Sequence, residues 1–326
     1  MTELARLLAA KIEQDGPIGF DEFMEQALYH PELGYYRHAR DPFGRSGDFY
    51  TAEQLQPVFG ILMAQFVRQL AQTAADSADF TVVELGPGRQ EMAEAFAEWR
   101  YVPVEIGGEM PQAIRGVVFS NEFFDALPVK AVKYSRGAFR EQCVTFSESR
   151  FRWTEGEAVP ENTEAWLRNY HQPPQEGCWY EMPTLDSWIA KIAGSLVDGW
   201  VLTIDYGFTR EEGVRFPQGS LMSYHRHLAL EDVLCDPGER DITAHVNFTA
   251  MMETGTRHGL GTERFDTLAS VLLSAGEADR FAAALGAGSD EPRRRMQLKT
   301  LLFGMGETFR VLLQRRVSNR SRMPEK

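Results

Sequence analysis

The chain is poor in cysteine, and its three cysteines are far apart. Cys143, Cys178 and Cys235 form no Cys-x-x-Cys pair. This spacing excludes the close pairs from which structural zinc sites are built, and an odd number excludes a fully paired disulfide framework. His225 and His227 alternate on one predicted strand, but no further ligands accompany them, so no metal site is predicted.

Long apolar segments are also missing. No stretch approaches the roughly 18 consecutive apolar residues that a membrane-spanning helix needs. The N-terminal segment MTELARLLAAKIEQDG has acids at Glu3, Glu13 and Asp15, where a signal peptide would have a basic start. We therefore expect a cytoplasmic protein without a membrane span.

Positive charge is scarce over most of the chain. The 34 Lys and Arg against 47 Asp and Glu give a net charge of −13. Residues 291–326 hold ten Lys or Arg and three Asp or Glu, which makes +7 there and −20 elsewhere. An acidic body does not suit nucleic-acid binding. It suits attraction of a basic protein or peptide substrate, with solubility alone as the alternative explanation.

Short apolar strands alternate with helical segments in the middle of the chain. The helical spacing of apolar residues predicts helices before residue 70, and further helices are predicted at 90–99 and 184–196. Buried strands are predicted at 80–85, 101–105, 116–121 and 200–207. This alternation predicts an α/β, Rossmann-like fold with a parallel sheet.

Other segments add to this core. Three short strands joined by turns, at 129–134, 139–145 and 150–154, predict a small antiparallel insertion. Beyond the fourth core strand, 221–227 and 241–248 are predicted as strands, and 265–275 and 296–316 as helices. The predicted organisation is a helical cap, 1–75, and a Rossmann-like domain, 76–326, with the β-rich insertion at about 129–182.

The sharpest motif follows the first core strand. In Glu84-Leu85-Gly86-Pro87-Gly88, two glycines let the backbone approach a ligand closely. A dinucleotide fingerprint would need a third glycine at residue 91, which is Glu, and Pro87 lacks an N–H for a phosphate. A nucleoside ligand without phosphates fits better, and S-adenosylmethionine (SAM) is such a ligand.

Two acids are placed to bind SAM. Glu84 ends the first strand, where it can hold the ammonium of the methionine end. Glu105 lies 19 residues after Gly86, at the end of the next strand, where an acid accepts hydrogen bonds from ribose hydroxyls. The alternative for Glu105 is a solvated loop charge.

Polar residues also follow the third core strand, in Asn121-Glu122-Phe123-Phe124-Asp125. The carboxyl ends of strands border the ligand crevice of such a sheet, so Asn121 is a candidate cofactor contact. Glu122 and Asp125 are the candidate catalytic carboxylates. The alternative is a helix N-terminus whose acids interact with the helix dipole, and Asp125 fits it better than Glu122 does.

Seven segments make a more specific resemblance: GPIGFDEFMEQALYHPELGYY, GDFYTAEQ, ELGPGR, NEFFDALPV, DYG, DITAHVNF and MGETFRVL. In this order they resemble the MidA-like SAM-dependent methyltransferases, a family that includes the arginine methyltransferase of mitochondrial complex I assembly. The resemblance implies a class I methyltransferase fold, an N-terminal helical cap and a substrate-side insertion. It also implies that Gly47, Asp48 and Phe49 lie near the cofactor with Glu84, Gly86, Pro87 and Gly88.

The sequence departs from that family pattern at two places. Gln90 stands where the family commonly has a third glycine after ELGPGR. Glu105 and Val117 are 12 residues apart, an interval that normally holds a helix and an edge strand. The edge of the sheet is therefore expected to be truncated, with an open adenine end and weak cofactor binding.

The function expected is transfer of the SAM methyl group to a nitrogen, most simply an arginine nitrogen of a protein. Methylation of a small molecule is one alternative. A catalytically weak methyltransferase-fold assembly or binding factor is another, and binding of a different nucleotide is the remotest.

Overall fold

The structure is a computed structural model that describes residues 1–37, 51–74, 79–225 and 228–316. Its α-helices, in chain order, are α1 Glu3–Asp15, α2 Phe20–Tyr29, α3 Val58–Ala71, α4 Glu161–Tyr170, α5 Leu185–Ser195, α6 Phe248–Arg257, α7 Leu268–Glu277, α8 Ala282–Leu285 and α9 Glu291–Thr300. Among the residues described, no helix combines the length and apolar composition needed to cross a membrane.

The strands, in chain order, are β1 Ile18–Gly19, β2 Thr81–Leu85, β3 Arg100–Val104, β4 Ile114–Asn121, β5 Val129–Ser135, β6 Ala138–Ser147, β7 Arg150–Ala158, β8 Trp179–Pro183, β9 Leu196–Phe208, β10 Met222–His225, β11 Leu228–Leu230, β12 Asp241–Thr243, β13 Val246–Asn247, β14 Gly261–Thr267 and β15 Phe309–Arg316.

The chain forms two compact units. The first comprises Met1–Tyr50, Phe124–Thr184 and Phe208–Thr249, and the second comprises Thr51–Phe123, Leu185–Gly207 and Ala250–Lys326. Of the predicted cap, α1 and α2 belong to the first unit together with the predicted insertion. Helix α3 belongs to the second unit with the central sheet.

The first unit is built around an antiparallel sheet in the order β1-β6-β5-β8, with β7 paired to β6. Helix α1 begins at Thr2, whose side chain accepts a hydrogen bond from the Ala5 N–H at 3.0 Å. The apolar faces of α1 and α2 join a common core with Val129 and Val144 of the sheet. The predicted antiparallel meander at 129–154 is confirmed.

The second unit contains the central sheet, with strands in the order β14-β15-β9-β4-β2-β3. The four strands from β9 to β3 are mutually parallel, and β15 is antiparallel to both β9 and β14. Side chains of α3 and α7 pack with Val117, Leu202 and Val311 in its core. The predicted α/β fold with four parallel core strands is confirmed.

The truncated edge is also confirmed. Strand β3 ends the order of the described sheet, and residues 105–113 form a turn-rich connection directly into β4. A crossover helix and another strand cannot fit in so few residues. Pro103 lies in β3, and proline suits an edge strand because it donates no ladder hydrogen bond.

Two helix predictions are wrong. Residues 90–99 form a succession of turns, and Gln90 has φ +56°, which is incompatible with a right-handed helix at that residue. The predicted helix 296–316 ends early: α9 stops at Thr300, a π-helical turn spans Leu301–Met305, and β15 begins at Phe309. Burial of Phe309 and Val311 inside a sheet, rather than on a helix face, explains this difference.

The predictions for the remaining late segments are confirmed in part. The predicted strand 221–227 is β10 as far as His225, and His227 lies outside the described residues. The stretch 241–248 contains β12 and β13, while Phe248 begins α6. The helix predicted at 265–275 begins at Leu268, after the unpredicted strand β14.

Candidate functional site

The glycine turn that follows β2 has a backbone that few other residues could adopt. Gly86 has φ +64° and Gly88 has φ +48°, both in the left-handed region that favours glycine. The Gly86 N–H donates to the carbonyl of Val104 at 2.9 Å, which holds the turn against the end of β3. A Cβ on Gly86 would lie 2.7 Å from Cδ2 of Phe123, so a side chain there would collide with that ring.

Gln90 completes this turn. Its N–H donates to the carbonyl of Pro87 at 2.6 Å, and its φ of +56° is a conformation in which glycine is less strained. A glycine at this position, which the resemblance implies as the usual residue, would relieve this backbone strain. The Gln90 side chain is exposed.

Glu84 is the most buried acid of the turn. It is 1% exposed, and Oε2 accepts a hydrogen bond from the Tyr101 hydroxyl of the neighbouring strand. Oε1 is buried and receives no N–H or O–H donor from the part of the chain that is described. Burial raises the pKa of Glu84 to about 7, against the lowering effect of the hydrogen bonds from Tyr101 and Glu53.

Glu53 joins this group, although it was not among the predicted site residues. It lies on a short 3₁₀ helix, Ala52–Gln54, and is 8% exposed. Its carboxyl interacts with that of Glu84, and each affects the pKa of the other. Burial, followed by the charge of Glu84, raises the pKa of Glu53 well above its ordinary value.

Glu105 lies at the same edge of the sheet. It follows Val104, which pairs with Leu85 in the parallel register of β2 and β3. Its side chain is exposed, and its charge helps to raise the pKa of Glu84. The two acids expected to flank the cofactor therefore end adjacent strands, as the sequence spacing predicted.

Asn121 and Glu122 extend this edge beyond β4. The Glu122 N–H donates to the carbonyl of Ile204 at 2.9 Å, although Glu122 has the strained φ of +53°. Glu122 Oε1 accepts from Asn121 Nδ2 at 3.1 Å and from the Ala52 N–H at 3.3 Å. These contacts fix the carboxylate of Glu122 beside the turn that carries Glu53.

Asp125 belongs to the first unit and is 5% exposed. Its carbonyl accepts from the Ala244 N–H at 2.9 Å, and its charge contributes to a raised pKa at Tyr36, for which burial is the main cause. The alternative of a helix start is wrong for this segment, because residues 122–128 form turns that lead into β5.

Three expected cofactor contacts, Gly47, Asp48 and Phe49, lie outside the described residues. Within the residues that are described, no three His, Cys, Asp or Glu side chains converge as metal ligands. His245 packs its ring edge-on against Phe216 at 4.9 Å, and burial lowers its pKa.

The second unit thus presents a glycine turn surrounded by carboxyl groups. Glu53, Glu84, Glu105 and Glu122 would repel a phosphate, whereas an ammonium would find acceptors among them. The buried Glu84 Oε1 is an acceptor without a donor, and such atoms are normally satisfied in a working site. These residues fit SAM, a cationic nucleoside.

A family model described as "Putative S-adenosyl-L-methionine-dependent methyltransferase" matches residues 96–265. Those 170 residues (265 − 96 + 1) are more than half of the 326 in the chain. The chain belongs to this family. It is accordingly a methyltransferase of the SAM-dependent kind, and SAM is its cofactor.

Two solved structures are similar to this chain over most of its length. A protein from Burkholderia thailandensis, crystallised with S-adenosyl-homocysteine bound, is similar with a TM-score of 0.87 and 29% identity. The match covers 96% of this chain and 92% of that one. A native crystal structure from the same organism matches with a TM-score of 0.81.

Curated relatives carry a more specific name. The human "Protein arginine methyltransferase NDUFAF7, mitochondrial" is 27% identical over 91% of this chain and 78% of its own length. The Drosophila melanogaster homolog, also named as a mitochondrial protein arginine methyltransferase, is 26% identical over 78% of this chain and 70% of its own length.

Proposed function

We propose that this methyltransferase transfers the SAM methyl group to an arginine nitrogen of a protein substrate. Relatives that bear the name protein arginine methyltransferase support the substrate class. The charge of −20 outside residues 291–326 supports a basic partner, because opposite charge speeds encounter. A cytoplasmic location stays a prediction.

The observation that carries the proposal is the fixed carboxylate of Glu122. SAM supplies a methyl group on a positively charged sulfur, which departs as a neutral thioether. A guanidinium is always protonated near neutral pH, so the protein must orient one nitrogen and accept the proton that is released. A carboxylate pairs with a planar guanidinium through directed hydrogen bonds and can do both.

The contacts of Glu122 are compatible with orienting a guanidinium and accepting its proton. The Ala52 N–H and the Asn121 amide both reach Oε1, so the carboxylate is oriented before a substrate arrives. Such positioning is the main source of acceleration expected for a direct transfer. Asp125 is the second candidate for the catalytic carboxylate.

Transfer of tritiated methyl groups from SAM to lysate protein tests the proposal. After acid hydrolysis, chromatography separates methylarginine from methyllysine, and we expect the label in methylarginine. Glu122→Gln keeps an acceptor for Ala52 and Asn121, so it should leave S-adenosylhomocysteine (SAH) affinity nearly unchanged. It should lower transfer at least tenfold, or about 1.4 kcal/mol of barrier.

Glu94→Gln is the matched control, because the Glu94 side chain is exposed and should not affect transfer. Undiminished transfer by Glu122→Gln would remove Glu122 from the mechanism. Label confined to small molecules would favour a small-molecule methyltransferase. Tight SAM binding without any transfer would favour an assembly or binding factor.

A further inference from the structure

The carboxyl groups of Glu53 and Glu84 form a buried pair. Glu53 is 8% exposed and Glu84 is 1% exposed, and each affects the pKa of the other. Two neighbouring buried carboxylates repel each other when both are ionised, which favours a proton on one of them. The pair therefore holds one proton when no cation is bound.

Independent contacts keep the pair together. Ala52, the neighbour of Glu53, donates its N–H to Glu122 at the end of β4, at 3.3 Å. Strand β4 is paired in parallel with β2, in which Glu84 lies opposite Phe119. Glu53 is thus held at the carboxyl end of the sheet, beside Glu84.

The surroundings of the pair are acidic. The Tyr101 hydroxyl donates to Glu84 Oε2, while the charges of Glu91, Glu105 and Glu122 act on one or both members. Within the described part of the chain, no Lys or Arg forms an ion pair with either member, and Glu84 Oε1 lacks an N–H or O–H donor. Two ionised carboxylates would therefore repel each other in a poorly solvated site.

An ammonium group removes this repulsion. It carries a positive charge and three N–H donors, so it can serve both carboxylates at once. The methionine end of SAM carries such an α-ammonium, and the adjoining Gly86 turn is where the backbone can approach the cofactor closely. Glu53 then becomes a binding residue for the cofactor, with Glu84.

We infer that Glu53 and Glu84 share one proton in the cofactor-free protein, and that this proton passes to solvent when the α-ammonium of the cofactor binds to both carboxylates. The ammonium keeps its three hydrogens, and no covalent bond forms other than that between the released proton and water or buffer. The inference requires SAM binding at the glycine turn but not the arginine specificity proposed above.

Proton release makes cofactor affinity depend on pH. The raised pKa of Glu84, about 7, places the shared proton on the protein below neutral pH. Each binding event then releases up to one proton, so affinity should rise roughly tenfold per pH unit below neutrality and level off above it.

Calorimetric titration with SAH tests the inference without any turnover. At about pH 6, buffers with different ionisation enthalpies report the number of protons released, and we expect close to one per SAH bound by the wild type. 5′-Methylthioadenosine lacks the amino-acid end, and its binding should release none. Replacement of both carboxyl groups, Glu53→Gln together with Glu84→Gln, should abolish the release and flatten the pH dependence, whereas the exposed control Glu94→Gln should retain both.

Binding of SAH without proton release by the wild type overturns the inference but leaves the methyltransferase assignment intact. Equal proton release by SAH and methylthioadenosine also overturns it, because the ammonium would not be responsible. This ligand comparison uses the wild-type protein, so it decides the matter even if the doubly substituted variant does not fold.

Discussion

Tyr101 and Glu84 lie on neighbouring parallel strands, and the Tyr101 hydroxyl donates a hydrogen bond to the Glu84 carboxylate. This bond favours the ionised form of Glu84 and opposes the effect of burial on its pKa. The strength of cofactor binding near neutral pH should therefore depend on a tyrosine that need not touch the cofactor.

Tyr101→Phe should raise the pKa of Glu84 further and weaken SAH binding near pH 7. A hydrogen bond to a charged group contributes about 1.5–3 kcal/mol, so the loss of affinity should be about tenfold or more. Calorimetry at several pH values checks this, and the deficit should shrink at higher pH, where Glu84 ionises in the variant too. A deficit that is the same at every pH would contradict this explanation.

The stability of the cofactor-free protein should also depend on Glu84. Because burial raises its pKa from 4.5 to about 7, the folded state retains a proton that the unfolded chain loses. The free energy of unfolding should therefore fall by up to about 3 kcal/mol as pH rises from about 4.5 to about 7. Above about pH 7 this group causes no further change.

Glu84→Gln should remove this dependence and become more stable, relative to the wild type, as pH rises through that interval. Urea denaturation between about pH 5 and about pH 8 measures the difference. A constant difference between the two proteins across the interval would show that the pKa of Glu84 is not raised by folding.

Alanine substitutions at two glycines should distinguish the cost of backbone strain from the cost of a steric collision. Gly86 and Gly107 both have positive φ, +64° and +86°, but a Cβ on Gly107 meets nothing within 4 Å. Gly107→Ala should destabilise by about 1–2 kcal/mol from the left-handed backbone alone. Gly86→Ala should destabilise by about 1–3 kcal/mol more, since its Cβ displaces the Phe123 ring.

Denaturation of both alanine variants checks the stability difference, and calorimetry with SAH checks the site. Only Gly86→Ala should weaken SAH binding substantially. Equal effects of the two variants on stability and binding would show that the Phe123 contact at Gly86 has little importance.

The truncated sheet edge should limit affinity. Residues 105–113 connect β3 directly to β4, so the loop that would follow another edge strand is absent from this described segment. We expect a dissociation constant for SAH no tighter than about 1 μM, or about −8 kcal/mol. A much tighter value in calorimetry would show that other residues replace the lost enclosure of the adenine.

The parallel strands of the sheet were predictable because each is a short apolar run flanked by turns. Strand β15 was not, since Phe309, Val311, Leu312 and Leu313 form an apolar run that suits either a buried strand or a helix. Its pairing with β9 and β14, which lie far away in the sequence, decided between the two. Periodicity within a short window contains no information about such partners.

The candidate site was also predictable only where its residues lie at the ends of predicted strands. Glu84, Glu105 and Asn121 end neighbouring strands, so the strand pattern alone placed them at one edge. Glu53 lies in TAEQ, a segment without helical or strand periodicity, and its role depends on the contact between Ala52 and Glu122. The one signal in the sequence was its place in GDFYTAEQ, a segment of the family resemblance, and that resemblance assigned no role to Glu53.

The chain passes from one unit to the other five times, since each unit is assembled from three separate segments. Neither unit can therefore be obtained by choosing one start codon and one stop codon in the gene. A contiguous fragment long enough to contain all of one unit therefore also contains segments of the other.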